Sequence, residues 1–118
     1  MSAPADSLLN DADYRRLTHA LLSLVESQVD AWLDDDVIDI DTHRSGGLLE
    51  LSFPNGSKII LNTQPPLHEV WMAARGGGYH FRWDGQVWRD TRDGVEFLQR
   101  LSQESSAQAG QALSYAAH

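Results

Sequence analysis

The 118-residue sequence contains no cysteine. That excludes disulfides, thiolate zinc sites, cysteine-held iron–sulfur clusters and thiol catalysis. No apolar run approaches the roughly 18 residues of a membrane-spanning helix. The opening residues, MSAPADSLLNDADYRRL, lack a basic stretch followed by an apolar one, so no secretory signal is expected. The expectation is a soluble cytoplasmic protein. Familiar catalytic patterns are missing as well: there is no H-x-x-x-H, G-x-S-x-G, Walker loop or G-x-G-x-x-G. RGGGY at 75–79 is glycine-rich but leads into a strand pattern, so it lacks the helix N-terminus of a phosphate site and reads as a turn. The five histidines (His19, His43, His68, His80, His118) show no metal-ligand spacing. His19 reads as a solvated helix-surface residue; His68 and His80 fall in predicted strands and read the same way.

Positive charge is scarce. Nine basic residues face 17 acidic ones, a net charge of −8. The imbalance is uneven: residues 1–50 hold 11 acidic and 3 basic side chains, and residues 51–118 hold 6 of each. An acidic surface repels nucleic acid and anionic membrane, so neither is expected as a partner. It attracts cations or a basic protein surface.

What is present is a helix, a run of strands and a second helix. Tyr14, Leu17, Leu21, Leu24, Val25 and Trp32 follow a 3.6-residue period, which predicts a helix over 11–33 capped by Asn10 or Asp11. At WLDDDVIDID, 32–41, the period changes to 2. Ile38 and Ile40 alternate with Asp39 and Asp41, which predicts a half-buried strand with an acidic outer face. Leu49, Leu51 and Phe53 share one face of the next strand; PNGS at 54–57 is a hairpin signal; Ile59 and Leu61 share one face of the return. QPP at 64–66 interrupts pairing, because proline donates no ladder hydrogen bond. LHEVWMAA, YHFRW and QVWR read as further strands. Asp93 and Glu96 have capping-box spacing before a last helix that fades ahead of Gly110, leaving QALSYAAH weakly structured. The predicted fold class is α+β, a two-layer α/β sandwich. It has an antiparallel five- to six-stranded sheet with the N- and C-terminal helices packed on one face. It is read as one domain over 1–118, with an ordered core at about 8–108.

Two features stand out as candidate sites. Glu26, Asp30, Asp34, Asp35, Asp36, Asp39 and Asp41 form an acidic ridge on adjacent elements. Crowded carboxylates repel one another unless a cation or basic partner compensates, and oxygen-only ligands suit hard cations. No glycine-punctuated loop preorganises them, so weak affinity is expected. The alternative is a solvated face that aids solubility. On the open face of the sheet, alternation places Trp71 with Glu69, opposite Val70 and Met72, and sets Asn62, Ile60 and Lys58 on that same side. A tryptophan among polar neighbours suits a protein contact.

The stretch NGSKIILNTQPPLHEVWMAARGGGYHF, 55–81, resembles the frataxin family, and most closely its bacterial members. The residues that carry the resemblance are Asn62, Gln64, Pro66, Trp71, Gly78, Tyr79 and Phe81, supported by DAW in the first helix and TRDG before the last. The resemblance implies an α–β–α sandwich that is not an enzyme. It implies iron (Fe2+ or Fe3+) held weakly by Glu26, Asp30, Asp34, Asp35, Asp36, Asp39 and Asp41, with no iron–sulfur cluster ligated by the chain itself. It also implies docking on the cysteine desulfurase and iron–sulfur scaffold protein through Asn62, Gln64 and Trp71. The expected role is a regulatory adaptor of cluster assembly, monomeric, with iron-driven self-association left open. The alternatives are an iron-storage or ferroxidase-like protein, which needs di-iron geometry such as paired Glu-x-x-His motifs absent here, or a metal-independent interaction module.

Overall fold

The asparagine at position 10 starts the first helix, its side chain accepting the Asp13 N–H at 2.8 Å. In the computed structural model, which describes residues 9–116, this helix (α1) spans Asp11–Asp34. Tyr14, Thr18, Leu21, Leu22, Val25, Val29 and Trp32 are its buried face, and Leu17 and Leu24 flank it. Then follow β1 (Asp41–Ser45), β2 (Leu48–Ser52), β3 (Lys58–Gln64), a 3-10 turn (Pro65–Leu67), β4 (Glu69–Ala74), β5 (Gly77–Trp83), β6 (Trp88–Asp90) and α2 (Phe97–Ala109). The six strands pair antiparallel in sequence order, the predicted α+β arrangement.

One face of the sheet is apolar: Leu49, Leu51, Ile59, Leu61, Val70, Met72 and Phe81 are almost fully buried with Phe97 and Leu101 of α2. Each such side chain contributes about 1.5–3 kcal/mol by leaving water, which fixes the register of β2 to β5. Close approach governs one turn: a Cβ on Gly47 would lie 1.9 Å from Oγ1 of Thr63, so any larger residue there would force the Thr63 side chain to move.

Four expectations are corrected. The strand expected at 38–41 begins only at Asp41; Ile38 and Asp39 are in a loop, anchored by the buried Ile40. The strand itself, DTHRS, is an exposed edge with no apolar residue, so it leaves no hydrophobic alternation in the sequence. The last helix starts at Phe97 rather than near Asp93, because Glu96 is itself the cap, accepting the N–H groups of Leu98 and Gln99. His68 is not in a strand: it follows the 3-10 turn in the left-handed region, φ +51°, with its ring on Asp11 at 2.7 Å. The described part of the C-terminal tail, 111–116, is packed, not loose: Leu113 and Tyr115 are 6% and 4% exposed, and the last two residues of that expectation lie outside the described residues. The helix does stop where expected, with Gly110 left-handed at φ +70°.

Candidate functional site: an acidic helix end and a tryptophan face

The acidic ridge is built on the C-terminal end of α1. Glu26, Asp30 and Asp34 recur every fourth residue, so they lie on one helix face. Asp34 is the last helical residue and Asp35 is the cap, its N–H donating to the Ala31 carbonyl while the Asp36 N–H donates to that of Leu33. Asp36 turns the chain in the left-handed region, φ +57°, a conformation aspartate tolerates better than most residues. Val37 N–H then returns to the Trp32 carbonyl at 2.8 Å. Asp30, Asp34, Asp35, Asp36, Asp39 and Asp41 are all exposed. The last turn carries no basic residue. Carboxylates at the negative end of a helix dipole are unfavourable by about 0.3–1 kcal/mol each, so this junction is electrostatically strained and attracts cations.

Glu26 differs from the other six. Arg44 of β1 reaches across to its carboxylate and also donates to Ser23 at 3.1 Å and approaches Nδ1 of His19 at 3.0 Å. Glu26 is thus paired with a cation, and His19 belongs to this cluster. Among the described residues, no three His, Asp or Glu side chains surround one point as a ready ion site. The arrangement is a row of exposed carboxylates, not a chelating cage.

The second surface lies on the sheet face away from the helices. Register makes it a grid of two rows across β3, β4 and β5. Asn62, Trp71 and His80 lie directly opposite one another, as do Gln64, Glu69 and Arg82. Asn62, Gln64 and Trp71 are therefore one patch, each half-buried. The patch is held from below: the Tyr14 hydroxyl donates to the Glu69 carbonyl at 2.5 Å and accepts the Gln64 N–H at 3.0 Å. Further along the face, Lys58 binds Glu50 at 2.9 Å, and that hydrogen bond is the main cause holding the Glu50 carboxyl below its ordinary range.

The sequence reading missed the partners of Trp71. His80 is not simply solvated but stacks on the indole, centres 4.1 Å apart. The signal was available in the turn: a two-residue hairpin loop at Arg75–Gly76 pairs Ala74 with Gly77, and so Trp71 with His80.

Known proteins resemble this chain in sequence and in fold. The Frataxin-like domain model matches residues 7–111. An iron-sulfur cluster assembly protein CyaY of Variovorax paradoxus is 48% identical over 109 residues, covering 92% of this chain and 99% of the relative. Among solved structures, a frataxin from Psychromonas ingrahamii superimposes with a TM-score of 0.81 at 32% identity, covering 92% of this chain and all of the other. A trimeric frataxin from Saccharomyces cerevisiae, complexed with ferrous iron, gives 0.59 at 25% identity over 94% of this chain and 92% of its own. By fold and by sequence, this chain belongs to the frataxin-like family.

Proposed function

We propose that the protein is an iron-binding regulatory adaptor of iron–sulfur cluster assembly, working in the cytoplasm as a monomer and by binding rather than catalysis. The observation that carries this is the helix end. Three consecutive exposed aspartates, Asp34, Asp35 and Asp36, crowd the negative pole of α1 with no basic residue in its last turn. Asp30, Asp39 and Asp41 extend the field. Iron, ferrous or ferric, is a hard cation that such oxygens hold weakly. The name of the Variovorax relative and the ferrous iron of the yeast structure support the choice of metal and pathway.

The partners are the cysteine desulfurase and its scaffold protein. The acidic helix end meets a basic surface, and Asn62, Gln64 and Trp71 supply the second contact. A bound cation lowers the charge that the partner meets, so iron supply tunes docking. Calorimetric titration of the cysteine desulfurase, with and without ferrous iron, tests this on wild type, Trp71→Ala and the joint replacement of Asp34, Asp35, Asp36, Asp39 and Asp41 by Asn. Weakened binding in both variants supports the reading; full binding in both removes it.

A second reading is a metal-independent interaction module. It draws on the dispersed carboxylates, none of which, among the described residues, closes around a point with two others. Desulfurase binding that ferrous iron leaves unchanged in wild type would favour it; an iron response that survives the five-Asp replacement would instead take the metal role from these residues.

A further inference from the structure

Trp71 presents a broad aromatic surface on the open sheet face, yet its one polar atom is already used. The indole N–H donates to Oε1 of Glu69 at 2.9 Å. Glu69 stands two residues earlier on β4, on the same face, and its side chain is only 8% exposed. Its other oxygen accepts from Nη2 of Arg82 at 2.8 Å, directly across on β5. The His80 ring lies parallel to the indole, planes 7° apart, with Nδ1 3.9 Å from that same Oε1. The N–H is therefore occupied, and one ring face is covered.

A surface tryptophan ordinarily offers two things, an apolar plate and a hydrogen-bond donor. Here it offers the plate alone. A partner that competed for the N–H would leave a nearly buried carboxylate oxygen without its donor, which is costly. We propose that Glu69 is the positioning residue of this docking face. It sets the plane of Trp71 and fixes the contact as an apolar or cationic side chain laid on the uncovered part of the ring. A carbonyl or carboxylate bonded to the indole is excluded. Hydrogen bonding passes instead to Asn62 and Gln64, across β3 from Trp71 and Glu69. The inference rests on the open face being a docking surface.

The test is titration of the cysteine desulfurase–scaffold complex, with the Trp71 indole N–H followed by NMR in the free proteins. Trp71→Ala is expected to weaken binding at least about tenfold, as for a contact hot spot. Trp71→Phe keeps a plate but cannot donate to Glu69, so the ring loses its positioning and binding is expected to fall by about as much as in Glu69→Ala. Glu69→Ala frees the indole: its N–H resonance shifts and exchanges faster with water, and binding falls about tenfold although Trp71 remains. Glu69→Gln retains an acceptor and lies between, which keeps the test valid if the alanine variant folds poorly. Binding unchanged in both Glu69 variants, with Trp71→Ala defective, overturns the positioning role. So does Trp71→Phe binding as well as wild type, since the N–H would then position nothing, and so does Glu69→Ala binding more tightly than wild type, since the partner would then use the freed N–H. An innocuous Trp71→Ala overturns the docking surface itself.

Discussion

The rings of Trp32 and Tyr115 meet edge to face, centres 4.8 Å apart and planes 63° apart. Trp32 is the last buried side chain of α1, one turn from the aspartate run, and Tyr115 comes from the C-terminal tail. Gln111 of the same tail donates to the Val37 carbonyl at 3.3 Å, and Ser106 exchanges hydrogen bonds with the backbone of Leu113. The tail thus braces the loop that displays the carboxylates.

Removing residues 111–118 is therefore expected to lower stability and loosen the 35–40 loop together. Leu113→Ala alone should cost about 2–5 kcal/mol, the usual range for a buried leucine truncated to alanine. Urea unfolding measures the first effect and amide hydrogen exchange at 35–40 the second. A tail deletion that leaves both unchanged would show that the bracing is not energetic.

The Tyr115 hydroxyl, hydrogen-bonded to Ser105 at 2.9 Å, has its pKa pushed up to about 12 by burial. The unfolded phenol ionises near 10 while the folded one stays neutral, so the unfolded state loses its proton first. The resulting stability is fully present below pH 10 and is lost as pH rises towards about 12, at up to about 1.4 kcal/mol per pH unit. Denaturation midpoints across that window should fall in the wild type and fall less steeply in Tyr115→Phe.

Relief of repulsion at the helix end makes a counter-intuitive prediction. Replacing Asp34, Asp35 and Asp36 by Asn should raise metal-free stability, by about 0.3–1 kcal/mol per charge removed from the dipole's negative end. Wild type should instead gain melting temperature with millimolar calcium or ferrous iron, through preferential binding to the folded state. The Asn variant should lose that gain. Thermal melts with and without cation decide it, and equal cation responses in the two proteins would remove the helix end from metal binding.

Docking driven by these charges should weaken with salt, because screening is strong within about 10 Å at 0.1 M. Titrations of the desulfurase over a range of potassium chloride concentrations are expected to show affinity falling steadily for wild type and hardly at all for the five-Asp variant. A salt-independent wild type would leave the open sheet face as the dominant contact.

The sequence by itself determined most of the fold. The 3.6-residue period of α1, the alternation of Leu49 with Leu51 and Ile59 with Leu61, and the glycine turns are local signals, each legible in a short window. It also showed where the carboxylates concentrate, and that Trp71 leaves the core face. Tertiary structure alone decided the rest. The edge strand β1 has no apolar pattern to read, because an edge is defined by what it pairs with. Helix α2 starts just after Glu96, whose carboxylate reaches its first free N–H groups, whereas capping-box spacing pointed to a start near Asp93. The tail is ordered because Leu113 and Tyr115 find cover against distant residues. Glu26 leaves the free ridge because Arg44, 18 residues away, lies beside it. Glu69, His80 and Arg82 gather around Trp71 through the register of the β4–β5 hairpin, which the Arg75–Gly76 turn sets and the alternation of side chains alone does not reveal.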